Sequence, residues 1–188
     1  MAPASHIGAT VEAMRLAAQP SYALGYATYV LQSFASNHRD IDLAKILTPQ
    51  AMINLPQTRK DCISKTVSTG YWATAIPKDQ FLANADLAPV LQVATQNEPG
   101  GLKIAVPSLI VQGTSDTTVM PAWTDETVRN LCRQGNDILY TVYPGADHET
   151  IVARSSAQIS AWIDARFAGT PAGGNCDKLP AAAKGNSN

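Results

Sequence analysis

The sequence is short of charge. Asp, Glu, Lys and Arg make up 15% of its 188 residues and nearly cancel, leaving a formal net charge of −1. With no dense Lys/Arg run there is no electrostatic footprint for a nucleic-acid partner. Long apolar runs are missing too: none approaches the roughly 18 residues of a membrane-crossing helix. The opening residues, Met1-Ala-Pro-Ala-Ser-His-Ile-Gly-Ala-Thr, hold no basic stretch followed by an apolar one, and no leader peptide is expected there. A Gly-rich phosphate loop and paired His/Cys spacings are also absent, so neither an organic cofactor nor a metal is implied. Cysteine is scarce and odd in number, at Cys62, Cys132 and Cys176. Three reduced thiols in a cytosolic protein would fit that count, and so would a secreted protein with a reactive thiol or a partner outside this chain.

What is present is a 45% share of hydrophobic residues, enough for a core of ordinary size. Residues 1–95 are Ala-rich and read as a linker followed by helices. The segment Tyr22 to Phe34 carries Leu24, Tyr26, Tyr29, Val30 and Phe34 at mixed spacings, which predicts a largely buried helix. Thr48-Pro49 ahead of Gln50-Ala-Met-Ile-Asn-Leu has the form of an N-cap with proline at the first helical position. Asp86 to Thr95 is a further short helix, broken by Asn97-Glu-Pro-Gly-Gly.

Residues 96–176 change texture. Pro107-Ser-Leu-Ile-Val-Gln-Gly is a short β-branched run closed by glycine, the pattern of a buried parallel strand. Pro121 to Gly135 reads as a helix that opens on proline, ends on basic residues and stops at glycine. Ile138-Leu-Tyr-Thr-Val-Tyr is a second strand. Ile151, Ser155, Ile159, Trp162, Ile163 and Phe167 then mark one helix face. Strand, helix, strand, helix predicts a parallel sheet flanked by helices, an α/β fold. The Gly/Ala/Asn-rich residues 177–188 are expected to be disordered.

In open α/β sheets the reactive groups gather past the carboxyl ends of strands. Two ionisable residues fall there: Asp116, directly after the first strand, and His148, directly after the second. An acid accepting an imidazole Nδ1–H fixes its tautomer and stabilises the imidazolium formed during acyl transfer. Acid before histidine is also the chain order of α/β-hydrolases. A lone Asp after a strand is more often a turn or capping residue, and a lone His more often merely exposed; it is their conjunction at successive strand ends that carries the reading. Asp147 competes as the acid, but its adjacency to His148 aims it elsewhere. His6 and His38 read as surface residues. The nucleophile is missing: no Gly-x-Ser-x-Gly elbow occurs, Ser115 adjoins Asp116 and cannot face His148, and no cysteine has the setting of a reactive thiolate.

The stretches Pro107-Ser-Leu-Ile-Val-Gln-Gly-Thr-Ser-Asp-Thr-Thr-Val-Met-Pro, Leu131-Cys-Arg-Gln-Gly, Tyr143-Pro-Gly-Ala-Asp-His-Glu and Trp162-Ile-Asp-Ala-Arg-Phe-Ala-Gly-Thr-Pro resemble the secretory lipase family of α/β-hydrolases. The resemblance puts Asp116 at the family's acid position and His148 at its base position, with a matching interval of 148 − 116 = 32 residues. It makes the chain similar to the C-terminal half of a family member, with residues from about Tyr22 to Leu87 resembling the helical cap; Leu47-Thr-Pro and Asp61-Cys-Ile are fainter landmarks. It implies a secreted triacylglycerol lipase or ester hydrolase whose serine, oxyanion-hole donors and remaining strands lie outside this chain. It further implies a Cys132–Cys176 disulfide, leaves Cys62 unpaired, and predicts exposed edges open to self-association. A non-catalytic α/β-hydrolase-like binding module, or a gene-model fragment, is the alternative.

Overall fold

A computed structural model describes residues 6–179 of the chain. The first five residues, read above for a leader, and residues 180–188 of the tail lie outside the described residues. Two compact units are present, His6–Asn97 and, from Glu98 onward, the remainder.

The first unit is helical. It contains α1 (Ile7–Leu16), α2 (Tyr22–Asn37), α3 (Pro49–Asn54), α4 (Gln57–Lys60), α5 (Ile63–Ser68), α6 (Tyr71–Thr74) and α7 (Ala88–Gln96). Side-chain caps set several of its helix starts. Ser21 Oγ accepts from Ala23 N at the head of α2, Thr48 Oγ1 accepts from Ala51 N ahead of Pro49, and Asp86 Oδ1 accepts from Ala88 N. Each cap satisfies an amide that the helix cannot. The core gathers Leu24, Leu31, Ile46, Leu47, Trp72 and Val90, all essentially inaccessible, and Trp72 donates its indole N–H to the Asn54 carbonyl at 3.2 Å.

Helix α2 differs from the expectation of a largely buried helix. Its buried stripe is Leu24, Gly25, Ala27, Thr28 and Leu31, while Tyr22 and Tyr26 are exposed and stack edge to face on each other. Gly25 allows a close approach, since a Cβ there would lie 2.6 Å from Val67 Cγ1, and Tyr29 donates its hydroxyl to the Asp61 carbonyl at 2.5 Å. His6 and His38, expected at the surface, are half-buried; the His38 ring meets Phe34 edge-on.

The second unit is a small α/β sandwich. Strands β1 (Ser108–Gly113) and β2 (Ile138–Tyr143) run parallel, with Ser108 opposite Ile138 and Gly113 opposite Tyr143. Between them runs α8 (Pro121–Arg133), and after β2 comes α9 (Thr150–Phe167). Because side chains alternate along a strand, successive residues of β1 serve opposite faces. Ile110 joins Val128 and Leu131 of α8 with Ile138 and Tyr140 of β2. Its neighbour Val111 joins Ile151 of α9 and Ala146. Full burial of a side chain such as Val128 or Ile138 contributes roughly 1.5–3 kcal/mol. Helix α8 ends where Gly135 adopts φ +80, its amide bonding to the Cys132 carbonyl while the Asn136 amide reaches that of Leu131, a Schellman stop.

The chain does not lose order immediately beyond Cys176. A turn spans Cys176–Lys178 and Leu179 packs against the α8-side core. The Cys132–Cys176 disulfide is formed, with Cα atoms 5.6 Å apart, and Cys62 is free and exposed. Asn175 lies along the outer edge of β2. Its side chain accepts from Tyr140 N at 2.8 Å and donates to Tyr140 O at 2.9 Å, and its amide bonds to Ile138 O. One residue thus stands in for a neighbouring strand. The face predicted for α9 holds through most of the helix and fails at Ile163 and at its end. Ile151 and Ser155 are buried, Ile159 packs partly buried against the same core as Ile151, and Trp162 is partly buried, but Ile163 is 42% and Phe167 89% exposed.

Candidate functional site

The carboxyl ends of the two strands open onto loops that lock together. The loop after β1 gives Thr114 N to Tyr143 O and Ser115 N to Ala146 O. In return Gly145, at φ +69, donates its amide to Thr114 Oγ1 at 2.8 Å. Gly113 makes this approach possible, since a Cβ there would sit 2.2 Å from the Ala146 carbonyl oxygen.

Across this junction Asp116 Oδ2 lies 3.0 Å from His148 Nδ1. The other carboxyl oxygen, Oδ1, accepts from Thr118 N at 2.9 Å and Val119 N at 2.8 Å. Burial by itself raises the Asp116 pKa, its side chain being only 4% exposed. The His148 hydrogen bond and the two amides outweigh that effect and hold the carboxyl below its ordinary range. With Nδ1 engaged by the carboxylate, Nε2 is the ring nitrogen left for proton exchange on a side chain that is half exposed. Val111, Gly113, Ile151 and Val152 line a depression of about 70 Å³ beside the pair.

Asp147 is committed elsewhere. Its Oδ1 accepts from Glu149 N, Thr150 N and Thr150 Oγ1, and its amide donates to Thr150 Oγ1, so it caps α9. That carboxyl too is held low, by the Thr150 bonds first. Ser115 is exposed on the loop. Among the described residues no serine hydroxyl bonds the His148 ring, and no group of His, Cys, Asp and Glu could hold a metal ion.

The polar residues beneath the acid loop were not singled out by sequence reasoning. Gln112, 1% exposed, donates Nε2 to the Gly113 and Val119 carbonyls and accepts from Thr124 Oγ1. The available signal was an amide in an otherwise apolar strand, one residue before its closing glycine.

Residues 62–170, 109 of the 188 (170 − 62 + 1), match the prolyl oligopeptidase family. The chain belongs to that family. The family has the α/β-hydrolase fold, in line with the parallel pair and flanking helices described above. No curated protein matches the chain. Among solved structures, the closed-state X-ray structure of Candida antarctica lipase A aligns at a TM-score of 0.74 and 22% identity, over 96% of this chain and 44% of the lipase chain. At that identity the likeness speaks for the fold. The chain spans less than half the length of that lipase. Family membership and fold together place the chain among α/β-hydrolases.

Proposed function

We propose that this chain carries the acid and base of a serine ester hydrolase of the secretory lipase kind, acting on triacylglycerols or related acyl esters. In this reading His148 Nε2 takes the proton of a serine hydroxyl as it attacks the acyl carbonyl, then returns it to the departing alcohol. Asp116 holds Nδ1–H and stabilises the imidazolium between the two steps. The observation that carries the reading is the 3.0 Å bond between Asp116 and His148, made by a carboxylate that two backbone amides also fix in place.

In this reading the serine and its oxyanion donors would come from polypeptide outside these 188 residues, a reading supported by the chain spanning 44% of the lipase chain it aligns with. The Cys132–Cys176 disulfide supports an oxidising, extracellular setting. The test is co-expression of this chain with the polypeptide encoded in frame immediately upstream, followed by fluorophosphonate labelling and ester hydrolysis. A labelled serine in a Gly-x-Ser-x-Gly context, with turnover abolished by His148→Ala, is the expected result. Cleavage of prolyl peptides but not esters would move the substrate class. No labelling and no turnover would leave a non-catalytic binding module.

A further inference from the structure

We propose that Gln112 is a positioning residue: its carboxamide sets the acid loop so that Asp116 meets His148 Nδ1. The inference rests on the acid–base reading above and deepens it. Gln112 sits at the last side-chain-bearing position of β1, buried and without a route to solvent. Its Nε2 faces two carbonyls, Gly113 O at 3.0 Å and Val119 O at 3.1 Å. Two acceptors leave no choice of amide orientation, so Oε1 is the atom turned to Thr124 Oγ1 at 2.6 Å.

The two carbonyls bracket the loop. Gly113 opens it, and its carbonyl also receives the Asp116 amide. Val119 closes it, and its amide donates to Asp116 Oδ1 at 2.8 Å. The residue whose carbonyl Gln112 holds is therefore the residue whose N–H orients the carboxylate. Thr124, wholly buried in α8, fixes the carboxamide from the far side. The path runs from helix through strand side chain to loop backbone to carboxylate, by hydrogen bonds that are buried at Thr124 and Gly113 and part-buried at Val119, where a lost partner is costly. A buried amide placed merely to satisfy itself would not need both ends of the same loop.

Nitrogen-15 NMR of the His148 ring in the whole chain, above its titration range, reads the consequence as the ratio of Nδ1–H to Nε2–H tautomers. Asp116→Ala abolishes the Nδ1–H preference; if it does not, the acid–base reading itself is wrong. Gln112→Leu and Thr124→Val lower the ratio about fivefold, the order expected for one net hydrogen bond, while the amide spectrum of β1 and β2 persists. Thr124→Ser, which keeps the hydroxyl, retains the original ratio. Should Gln112→Leu fail to fold, Thr124→Val decides. An effect of Asp116→Ala without any effect of Thr124→Val, or a Thr124→Ser ratio as low as that of Thr124→Val, overturns the positioning role and leaves the acid–base pair standing.

Discussion

Gly113 and Ala146 touch through backbone. The closing residue of β1 lies so near the turn before His148 that a Cβ on Gly113 would fall 2.2 Å from the Ala146 carbonyl oxygen and 3.0 Å from its Cβ. The obstacle is main chain, held in place because the same carbonyl receives Ser115 N, so it cannot swing aside as a flexible side chain would. Gly113→Ala therefore pushes the two loops apart. It is expected to cost about 1–3 kcal/mol, the usual range for overpacking, and to weaken the Asp116–His148 bond. Denaturant unfolding with the His148 tautomer ratio checks both; an unchanged midpoint and ratio would show that the loops have slack.

Asp116 gives a pH dependence whose sign follows from its environment. The carboxyl is held below its ordinary range because the His148 and backbone bonds outweigh burial. A depressed folded-state pKa means that the ionised form favours the folded chain. The stabilisation is complete above the unfolded carboxylate value, near pH 4, and is lost as pH falls through the lower folded value. The stability gap between the wild type and Asp116→Asn should shrink as pH falls below about 4, where the carboxylate is protonated. A gap that keeps growing below about pH 4 would contradict the assigned network.

The strands and α8 were legible because their signals are local. A β-branched run ended by glycine, or a Pro-to-Gly interval with acids early and bases late, needs nothing from elsewhere in the chain. The placement of Asp116 and His148 after successive strands was legible for the same reason. Gln112 was not, because its partners Val119 and Thr124 are chosen by how a loop and a helix come back over the strand. Asn175 was not either: its bonds to Tyr140 span 35 residues. On α2 the apolar bulk of Tyr26, which is exposed, misled, since the small residues Gly25 and Ala27 share the buried stripe with Leu24 and Leu31.

The tail is held by the Cys132–Cys176 bridge, which closes a separation of 44 residues. Loop-closure entropy assigns such a bridge about 4 kcal/mol. Replacing both cysteines by serine should lower stability by up to that amount and release Asn175 from the β2 edge, exposing the Tyr140 amide to exchange. Hydrogen exchange at Tyr140 with denaturant midpoints measures the two effects. Reductant should bring the wild type to the level of the double variant; if it leaves both readouts unmoved, the bridge is not what holds the tail.

The two edges of the sheet are treated differently. Asn175 covers that of β2, whereas β1 pairs only with β2 among the described residues. Beside β1 runs an apolar groove of about 310 Å³, lined by Pro107, Leu109, Val111, Ile159, Trp162 and Ile163. The Trp162 indole N–H, buried there, has no acceptor among the described residues. An open edge next to apolar surface is a template for pairing, so the purified chain is expected to self-associate with rising concentration. Ile163 and Phe167 are exposed on α9, and placing charge there should oppose association with little effect on the fold, since neither is buried. Sedimentation velocity of the wild type and of Ile163→Lys/Phe167→Lys makes the comparison. Monomer at every concentration for the wild type would sink the expectation. Association that persists undiminished in the double variant would place the contact on another surface.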